Sequence, residues 1–573
     1  MGYIKGVDRG QIVLFPERLD DLVSEDNPVR VIDEFINQLD LEDAEIEVIY
    51  PSKAEPVNPR GLQKVGAGRP GYSPKHLLKL YIYGYFKKVR SSRKLMELCR
   101  TNIEVMWLLG RLDPDFRTIS DFRKDHAKSI KKVFRAFTRI CIELGLYSKE
   151  IGVQDGSKFR AVNSKDNCLT KSKLPKKIEM LDEKIEKYFN ELDRCDKEER
   201  DSQEYTKEEI AEKIKKLKER REIYNEYLKK MDEEGITQIS LTDKDARLMK
   251  MANGGFNVCY NTQIIVDPES HIVGDFQVTN KCNDMGLLNQ VTQEVKEALG
   301  VDVIEVVADK GYEDNEDMLE CIMSGTIPHV PSVSGKESYD FEMEHKEAEN
   351  PEELLNSTEP EDIKACLEAG VLPNAYEGKG IEASIVEKET IIDGDMCFKL
   401  NEDGTAVICP QGFSLGKVAY LKNKGKTRFA SRTACKNCKK KCTTSKFKQV
   451  DLKDGQTELR NRIRGMVNKV KITLTPDKEK IKKRKCVVEH PFGTVKRSLD
   501  GSYFLLIGEE KVTADSAFLF LAYNIKRAIN MLGVEEMIRK MRELKGDLSL
   551  ILIKSIKVCI NLPNYKKDLI QEF

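Results

Sequence analysis

The sequence has no long hydrophobic run: none of its uninterrupted apolar stretches approaches 18 residues. A helix that crosses a membrane needs about 20 predominantly apolar residues, so no transmembrane helix is expected. The first residues, from Met1 to Gly6, lead into charged sequence without the apolar core of a signal peptide. The 15 cysteines show no secreted disulfide pattern, so the expected location is the reducing cytoplasm.

The chain also lacks a net charge, because 96 basic and 96 acidic residues cancel. A zero balance, taken alone, argues against a nucleic-acid partner. The average conceals two blocks, since residues 415–500 hold 26 Lys or Arg and 7 acids, whereas residues 337–362 hold 11 acids and one lysine. Such blocks are typical of interaction surfaces or solvated tails. With 573 residues, 40% of them apolar, the chain is predicted to fold into several globular domains.

Residues 1–148 carry helical signals and a basic edge. Ser73 and Pro74 form a helix start, and Leu and Tyr residues recur after them at helical spacing. The basic edge includes Arg90 and Arg93. Several short helices of this kind suit a helix-turn-helix-like DNA-binding module. The alternative is a small helical bundle with a solvated face.

Strand and helix signals alternate after residue 148, and their order predicts an α/β domain. Residues 174–235 interrupt it with two apolar patterns of helical spacing, which predict an antiparallel helical hairpin. The predicted organisation is a helical amino-terminal domain at 1–148, a core at 149–335 interrupted by the hairpin, an acidic variable insertion at 336–395, a cysteine-rich basic insertion at 396–470, the rest of the core at 471–535 and a helical tail at 536–573.

Three acids stand at positions that suit a reaction site. Asp155 and Asp309 each end a predicted strand, a place that catalytic groups of open α/β sheets favour. Glu489 lies in an apolar part of a predicted helix, where an unpaired carboxylate is costly. Converging carboxylates repel one another unless cations neutralise them, and Mg²⁺ and Mn²⁺ prefer oxygen ligands. Each acid alone is better explained as a solvated turn residue or an ion-pair partner, so the prediction depends on their joint order.

The stretches around these acids carry a resemblance. They are Val153-Gln154-Asp155-Gly156-Ser157-Lys158, Ala308-Asp309-Lys310-Gly311-Tyr312 and Val488-Glu489-His490-Pro491-Phe492-Gly493-Thr494-Val495-Lys496-Arg497. Together they resemble the three acidic motifs of DDE transposases from bacterial insertion sequences. The similarity extends to the InsH-type amino-terminal domain of one branch, in Tyr81-Ile82-Tyr83-Gly84-Tyr85, Arg90-Ser91-Ser92-Arg93 and Pro114-Asp115-Phe116-Arg117-Thr118.

The resemblance implies a fold, an activity and partners. The fold would be α/β, an RNase H-like mixed five-stranded core with an all-α amino-terminal domain, an inserted helical hairpin and a small zinc-ribbon-like insertion. Asp155, Asp309 and Glu489 would hold two Mg²⁺ or Mn²⁺ ions about 3.5–4 Å apart. The enzyme would cut the terminal inverted repeats of a mobile element and transfer them into target DNA. A homodimer in the bacterial cytoplasm, at the nucleoid and without a membrane partner, would be the active form.

The third motif of the family often places Tyr, Arg, Glu and Lys at fixed spacing. Glu489 and Lys496 match that spacing, whereas Lys485 stands in the arginine place. Lys485, Lys496 and Arg497 are therefore expected to contact phosphate, Lys485 without the bidentate fork of arginine. Lys496 follows Glu489 by seven residues and is expected on the same face if the helix continues. Asp284 is interpreted as a helix N-cap rather than a site residue.

Four cysteines form a second constellation. Cys409, Cys435, Cys438 and Cys442, with one pair separated by two residues, suit a tetrahedral Zn²⁺ site. Flanking lysines are expected to lower the pKa of the thiols and to favour metal binding. The site would stabilise a small fold without taking part in catalysis. A coincidence in a cysteine-rich chain is the alternative.

Two other functions stay open at this point. One is a nuclease that cuts DNA and never joins it. The other is a DNA-binding regulator derived from a transposase, without catalysis. The presence of all three acids at the expected positions argues against the regulator, because a protein without catalysis does not need them. Strand transfer with labelled element ends distinguishes all three functions.

Overall fold

The computed structural model describes residues 18–46, 71–198, 206–251, 254–347, 351–438, 442–443 and 445–544. The predicted tail at 536–573 is therefore described only as far as residue 544. Contacts divide the chain into two units. The first comprises Met1–Ile322, Thr326–Gly335 and Pro476–Phe573, and the second comprises Met323–Gly325 and Lys336–Thr475.

The described chain begins with six α-helices and continues with strands and helices in mixed order. The helices are α1 Val29–Gln38, α2 Pro74–Phe86, α3 Ser92–Thr101, α4 Ile103–Leu109, α5 Phe116–Asp125, α6 Ala127–Glu143, α7 Leu174–Glu198, α8 Lys207–Glu233, α9 Leu288–Leu299, α10 Asn315–Met323, α11 Pro351–Leu354, α12 Pro360–Glu368, α13 Arg432–Lys436, α14 Lys478–Gly493 and α15 Glu509–Leu532. The strands are β1 Ile151–Arg160, β2 Cys168–Thr170, β3 Gln238–Ser240, β4 Arg247–Lys250, β5 Phe256–Val266, β6 Val273–Thr279, β7 Ile304–Val307, β8 Thr326–His329, β9 Tyr339–Glu344, β10 Ile381–Leu400, β11 Ala406–Ile408, β12 Ser414–Leu421, β13 Lys426–Ala430, β14 Gln449–Lys453 and β15 Glu458–Leu474. Among these described segments, no helix is both long and apolar enough to cross a membrane.

The amino-terminal part of the first unit is helical, which confirms the prediction for this region. α2 begins with a proline directly after Ser73, as its sequence indicates. Tyr81, Tyr83 and Tyr85 on this helix are at most 2% exposed. α2 is therefore covered on several sides and lies in the interior of the unit.

A buried polar network joins α2 to α15. The Asp515 side chain is completely buried, and its carboxylate accepts hydrogen bonds from the Tyr85 hydroxyl and, at 3.0 Å, from the Leu505 N–H. The Arg90 guanidinium lies 3.9 Å from the same carboxylate, and Arg123 donates to the Tyr85 hydroxyl at 2.9 Å. Because a buried charge is stable only with partners of this kind, the network fixes the amino-terminal helices against α15.

A six-stranded mixed sheet forms the centre of the first unit, and the predicted α/β character is confirmed. The strand order is β4-β5-β1-β7-β8, and β6 pairs with β5 as well. β5 runs antiparallel to β1 and β6, whereas β7 runs parallel to both β1 and β8. Every residue of β7 and β8 is buried, as expected for parallel strands that are covered on both faces.

α7 and α8 are long helices that pack side by side. Two apolar clusters lie between them, one around Leu181, Tyr224 and Met231 and one around Ile185 and Ile214. The Thr206 hydroxyl caps α8 together with Glu209. The polar break predicted between the helices, Lys197 to Thr206, falls largely on residues 199–205, which lie outside the described chain.

The second unit contains a seven-stranded antiparallel sheet of order β14-β13-β12-β11-β10-β15-β9. The acidic and cysteine-rich segments, expected to be separate insertions, share this sheet. Acidic β9 pairs with basic β15, where the Lys471 ammonium lies 3.1 Å from the Asp340 carboxylate. Glu342 likewise pairs with Lys388 of β10. Cross-strand pairs of opposite charge stabilise such a sheet, so part of the basic block is already neutralised within the unit.

Candidate active site

Asp155 and Asp309 lie side by side at the edge of the parallel pairing between β1 and β7. Val153 and Val307 are the last registered pair of these two strands, so both aspartates stand two residues beyond it. The Asp155 carboxylate is 3.5 Å and the Asp309 carboxylate 3.7 Å from the Arg484 guanidinium. β1 does not end at Asp155 as predicted. It continues to Arg160 because β5 pairs with it from Val153 to Arg160.

Burial has a strong effect on Asp155. It raises the pKa of this carboxyl to about 6, the negative charges of Asp309 and Asp284 add to the rise, and Arg484 opposes it. The same carboxylates, after burial itself, raise the pKa of the Tyr312 hydroxyl well above its usual value. The pocket therefore has an excess of negative charge that a cation relieves.

Arg484 is a site residue that the sequence analysis missed. Its side chain is 15% exposed and points between the two aspartates. Lys485, which was expected in this role, is 78% exposed and lies on another face of α14. A periodic signal was available, because the buried Val487 and Val488 follow Arg484 by three and four residues and residues at that spacing share a helix face.

The structure does not bring Glu489 to the two aspartates. Its side chain is 66% exposed, and its carboxylate lies 3.9 Å from the ammonium of Lys485 on the same helix. The inward positions next to it are taken by Val488 and Phe492. In the part of the chain that the structure describes, no three His, Cys, Asp or Glu side chains are close enough to hold a metal ion.

Asp284 lies at the site, and its interpretation as an N-cap is wrong. α9 begins only at Leu288, with Leu287 at the N-cap position and no capping side chain. The Asp284 carboxylate instead accepts hydrogen bonds from Asn261 at 2.8 Å and from Gln263 at 2.7 Å. The chain has to turn once more before the helix starts, which carries Asp284 toward the sheet.

Lys496 and Glu489 lie on different faces, contrary to the conditional expectation. α14 continues through Pro491 to Gly493 and then changes into a π-helical turn, Thr494–Ser498, whose wider spacing alters the direction of side chains. The Lys496 ammonium donates to the Ser157 hydroxyl at 2.5 Å and to the Lys158 carbonyl at 2.9 Å. Burial lowers the pKa of this lysine to about 8.

The remaining basic residues differ in accessibility. Arg90 was expected to contact DNA, but it is 4% exposed and donates to the Tyr503 carbonyl at 2.9 Å. It is held in the interior because it faces the buried Asp515. Arg93 and Arg497 are exposed, so both are accessible to a phosphate backbone.

Cys409 and Cys435 lie near enough to Cys442 for their charges to act on it, but no metal-binding group of three or more His, Cys, Asp or Glu side chains is found among the residues described. Burial raises the pKa of the Cys442 thiol, the neighbouring thiols Cys435 and Cys409 raise it further, and Lys448 lowers it. For Cys442, burial therefore outweighs the effect expected from the flanking lysines. Cys438 is partly buried.

Two family models match the chain, and both describe transposases. A transposase domain (DUF772) matches residues 17–125, and a transposase DDE domain matches residues 408–529. The first covers the amino-terminal helices described above, and the second includes Arg484 and Glu489. No curated protein and no solved structure matches the chain. Each model covers about a fifth of the chain, and together the two matches support a DDE transposase of insertion-sequence type and a transposase function.

Proposed function

We propose that this transposase cuts DNA at the ends of its element and joins the freed 3′-hydroxyl to target DNA, with divalent metals held by Asp155, Asp309 and Glu489. The observation that carries the proposal is the equal position of Asp155 and Asp309, two residues beyond the last pair of β1 and β7. The strand order β6-β5-β1-β7-β8, antiparallel on one side of β1 and parallel on the other, supports an RNase H-like core.

The donors at this position fit a divalent metal such as Mg²⁺, which DDE transposases generally use. Carboxylate oxygens are the ligands that hard cations prefer. The positively charged Arg484 guanidinium lies between the two carboxylates, and its Nη1 has no hydrogen-bond partner among the described residues. When bound, a pair of such ions lowers the pKa of the attacking hydroxyl and stabilises the leaving oxygen.

The chain's own residues divide the remaining work. Asp155 lies within β1 and Asp309 two residues after β7, so a central strand of the sheet positions each of them. Arg484 neutralises them in the absence of DNA, and a scissile phosphate would offer its fork a bidentate partner. Glu489 is the third acid of the proposed set, and its exposed position on α14 leaves it free to change partners from Lys485.

DNA contacts are assigned to exposed cations. Arg93, Lys485 and Arg497 are exposed, and each phosphate contact of this kind makes binding weaker at higher salt. Lys496 would act indirectly, because its hydrogen bonds to Ser157 and the Lys158 carbonyl brace β1 next to Asp155. Two element ends must be cut together, so a homodimer is the proposed active form.

For the second unit we propose a structural Zn²⁺ site made of Cys409, Cys435, Cys438 and Cys442. Cys409 and Cys442 both pack against the apolar cluster of this unit, and the charges of Cys435 and Cys409 act on Cys442. A bound metal would cross-link the segments that carry these cysteines and so stabilise the fold of this unit.

The test uses labelled duplexes with the inverted repeats that flank the gene, incubated with full-length protein and Mg²⁺ or Mn²⁺. Wild type should cut and join the ends, and Asp309→Ala should bind them but leave them intact. Glu316→Ala, which removes an exposed carboxylate of α10, is the matched control and should react like wild type. Cutting by Asp309→Ala would overturn the site, and cutting without joining would identify a nuclease. Wild type that binds ends without reacting with either metal would identify the regulator.

A further inference from the structure

A third carboxylate lies beside Asp155 and Asp309. Asp284 follows β6, and its carboxylate Oδ1 accepts two hydrogen bonds, from Asn261 Nδ2 at 2.8 Å and Gln263 Nε2 at 2.7 Å. The two donors stand two residues apart on β5 and so share one face of the sheet. One oxygen of Asp284 is therefore fixed by a rigid strand.

The two amide residues have no other evident reason to be where they are. Asn261 and Gln263 are 1% and 0% exposed on a central strand, where apolar residues are usual and buried polar groups require partners. The Tyr312 hydroxyl donates to Gln263 Oε1, which leaves the Nε2 group of that amide to donate to Asp284. Tyr312, Gln263 and Asp284 thus form one chain of hydrogen bonds, and this chain orients the carboxylate.

Two glycines leave room for this carboxylate. A Cβ on Gly156 would lie 2.6 Å from Asp284 Oδ1 and 2.2 Å from Gln263 Nε2. A Cβ on Gly311 would lie 2.9 Å from Asp309 Oδ1 and 3.9 Å from Asp284 Oδ2. Neither glycine has a positive φ, so close approach rather than backbone conformation explains them. Asp284 Oδ2 is thereby directed to the side of Asp309.

The charges around the site indicate what the second carboxylate oxygen of Asp284, Oδ2, would bind. Three carboxylates face this pocket, and Asp284 contributes to the raised pKa of both Asp155 and Tyr312. Arg484 lies against Asp155 and Asp309, and the charge of Lys496 also interacts with Asp155, so two single positive charges face three acids. A divalent cation in place of that guanidinium would balance them more closely.

We propose that Asp284 is a further carboxylate of the cation site, held in position by Asn261 and Gln263, and that it binds the cation together with Asp155 and Asp309 once Arg484 has left the place between those two aspartates. With Arg484 in that place, no three such side chains of the described residues are close enough to hold a metal ion. The proposal rests on the function proposed above, because it concerns the same cation. It adds a ligand that comes from the loop between β6 and α9 rather than from α14. The site would then take up its first ion before Glu489 is in place.

The experiment measures Mn²⁺ affinity of the full-length protein without DNA, from the paramagnetic resonance of free Mn²⁺ during a titration. Asp284→Asn retains the shape and an acceptor for the amides but loses the charge. It should weaken Mn²⁺ binding by about 10- to 100-fold, the range of other metal-site support residues. Asp314→Asn is the matched control, because the Asp314 carboxylate accepts from two N–H groups of α10 instead. Its affinity should equal that of wild type.

The outcomes separate this inference from the function on which it rests. If Asp309→Asn weakens Mn²⁺ binding and Asp284→Asn does not, the role of Asp284 is overturned and the proposed function stands. If neither variant changes the affinity, the proposed cation site itself is overturned. Should circular dichroism show that Asp284→Asn is unfolded, Gln263→Met, which removes one donor, replaces it. Unchanged Mn²⁺ affinity in that variant would also overturn the proposal.

Discussion

Replacing Asp155 with asparagine should abolish DNA cleavage and, at the same time, stabilise the metal-free protein. Burial raises the pKa of Asp155 from 3.8 to about 6, in spite of the opposing charge of Arg484. Ionising this carboxyl therefore costs more in the folded protein than in the unfolded chain. A shift of about two pKa units corresponds to roughly 3 kcal/mol, and solvent screening of the partly exposed group reduces this to roughly 2 kcal/mol.

The pH dependence has a definite sign. Below pH 3.8 the carboxyl is protonated in both the folded and the unfolded state, so it adds no cost. The cost develops as the pH rises from 3.8 to about 6, where the folded protein loses this proton. Above that window it is complete. Wild type should therefore become less stable than Asp155→Asn as the pH rises through the window.

Urea unfolding in a chelating buffer, at a pH near 4 and again at a pH near 7.5, measures this difference as a shift of the midpoint. The midpoints should nearly coincide at the lower pH, and that of Asp155→Asn should be higher at the upper pH. Excess Mg²⁺ should stabilise wild type and not the variant. Glu316→Gln, with an exposed carboxylate, serves as the control. Equal midpoints at the upper pH, or a less stable variant, would refute the argument.

Three further predictions concern Arg484, a glycine beside the site and the cysteines of the second unit. Arg484→Gln removes the charge that lowers the pKa of Asp155, so half-maximal Mn²⁺ binding should move to higher pH, and an unchanged midpoint would contradict this role. Gly156→Ala should cost about 1–3 kcal/mol and reduce cleavage because its Cβ has no space. Gly493→Ala, in α14 with nothing within 4 Å, should instead be neutral or stabilise by up to about 1 kcal/mol, as urea midpoints will show. Purified protein should contain close to one zinc per chain by elemental analysis, with less in Cys435→Ser, and a ratio near zero would exclude the zinc site.

The pair Asp155 and Asp309 could be predicted from the sequence, because the strands and the positions of the acids near strand ends are recognised from neighbouring residues. The parallel pairing of β1 with β7 then places both acids at one edge. The end of β1 could not be predicted, because it depends on β5. That strand follows about 100 residues later and pairs with β1 as far as Arg160. Long-range pairing of this kind leaves no signal within the strand itself.

The third motif shows the limit of fixed spacing. Counting residues put Lys485 in the arginine place, whereas the apolar pattern of α14 puts Arg484 on the inward face with Val487 and Val488. The position of Asp284 could not be predicted either, since its partners Asn261 and Gln263 lie on β5. In both cases the side chain's direction, set by packing, decides the role.

The charge blocks were predicted to be interaction surfaces or solvated tails, but part of the acidic block pairs with part of the basic block in one sheet. The acidic segment supplies β9, which pairs with the basic β15, as in the contact of Asp340 with Lys471. Composition shows how much charge a segment carries. It does not show whether the opposite charge lies on the adjacent strand.

The network around Asp515 bears on how such a protein can be rebuilt. Tyr85 belongs to the stretch matched by the first family model and Asp515 to the stretch matched by the second. Removing the stretch that contains Tyr85 would leave the fully buried Asp515 carboxylate without this partner. Breaking a buried pair of this kind typically costs about 3–5 kcal/mol. The amino-terminal helices are therefore a poor choice for a swappable targeting module. A chimaera that exchanges them must carry over equivalents of Tyr85 and Arg90, so these helices and the catalytic scaffold are expected to be inherited as one piece.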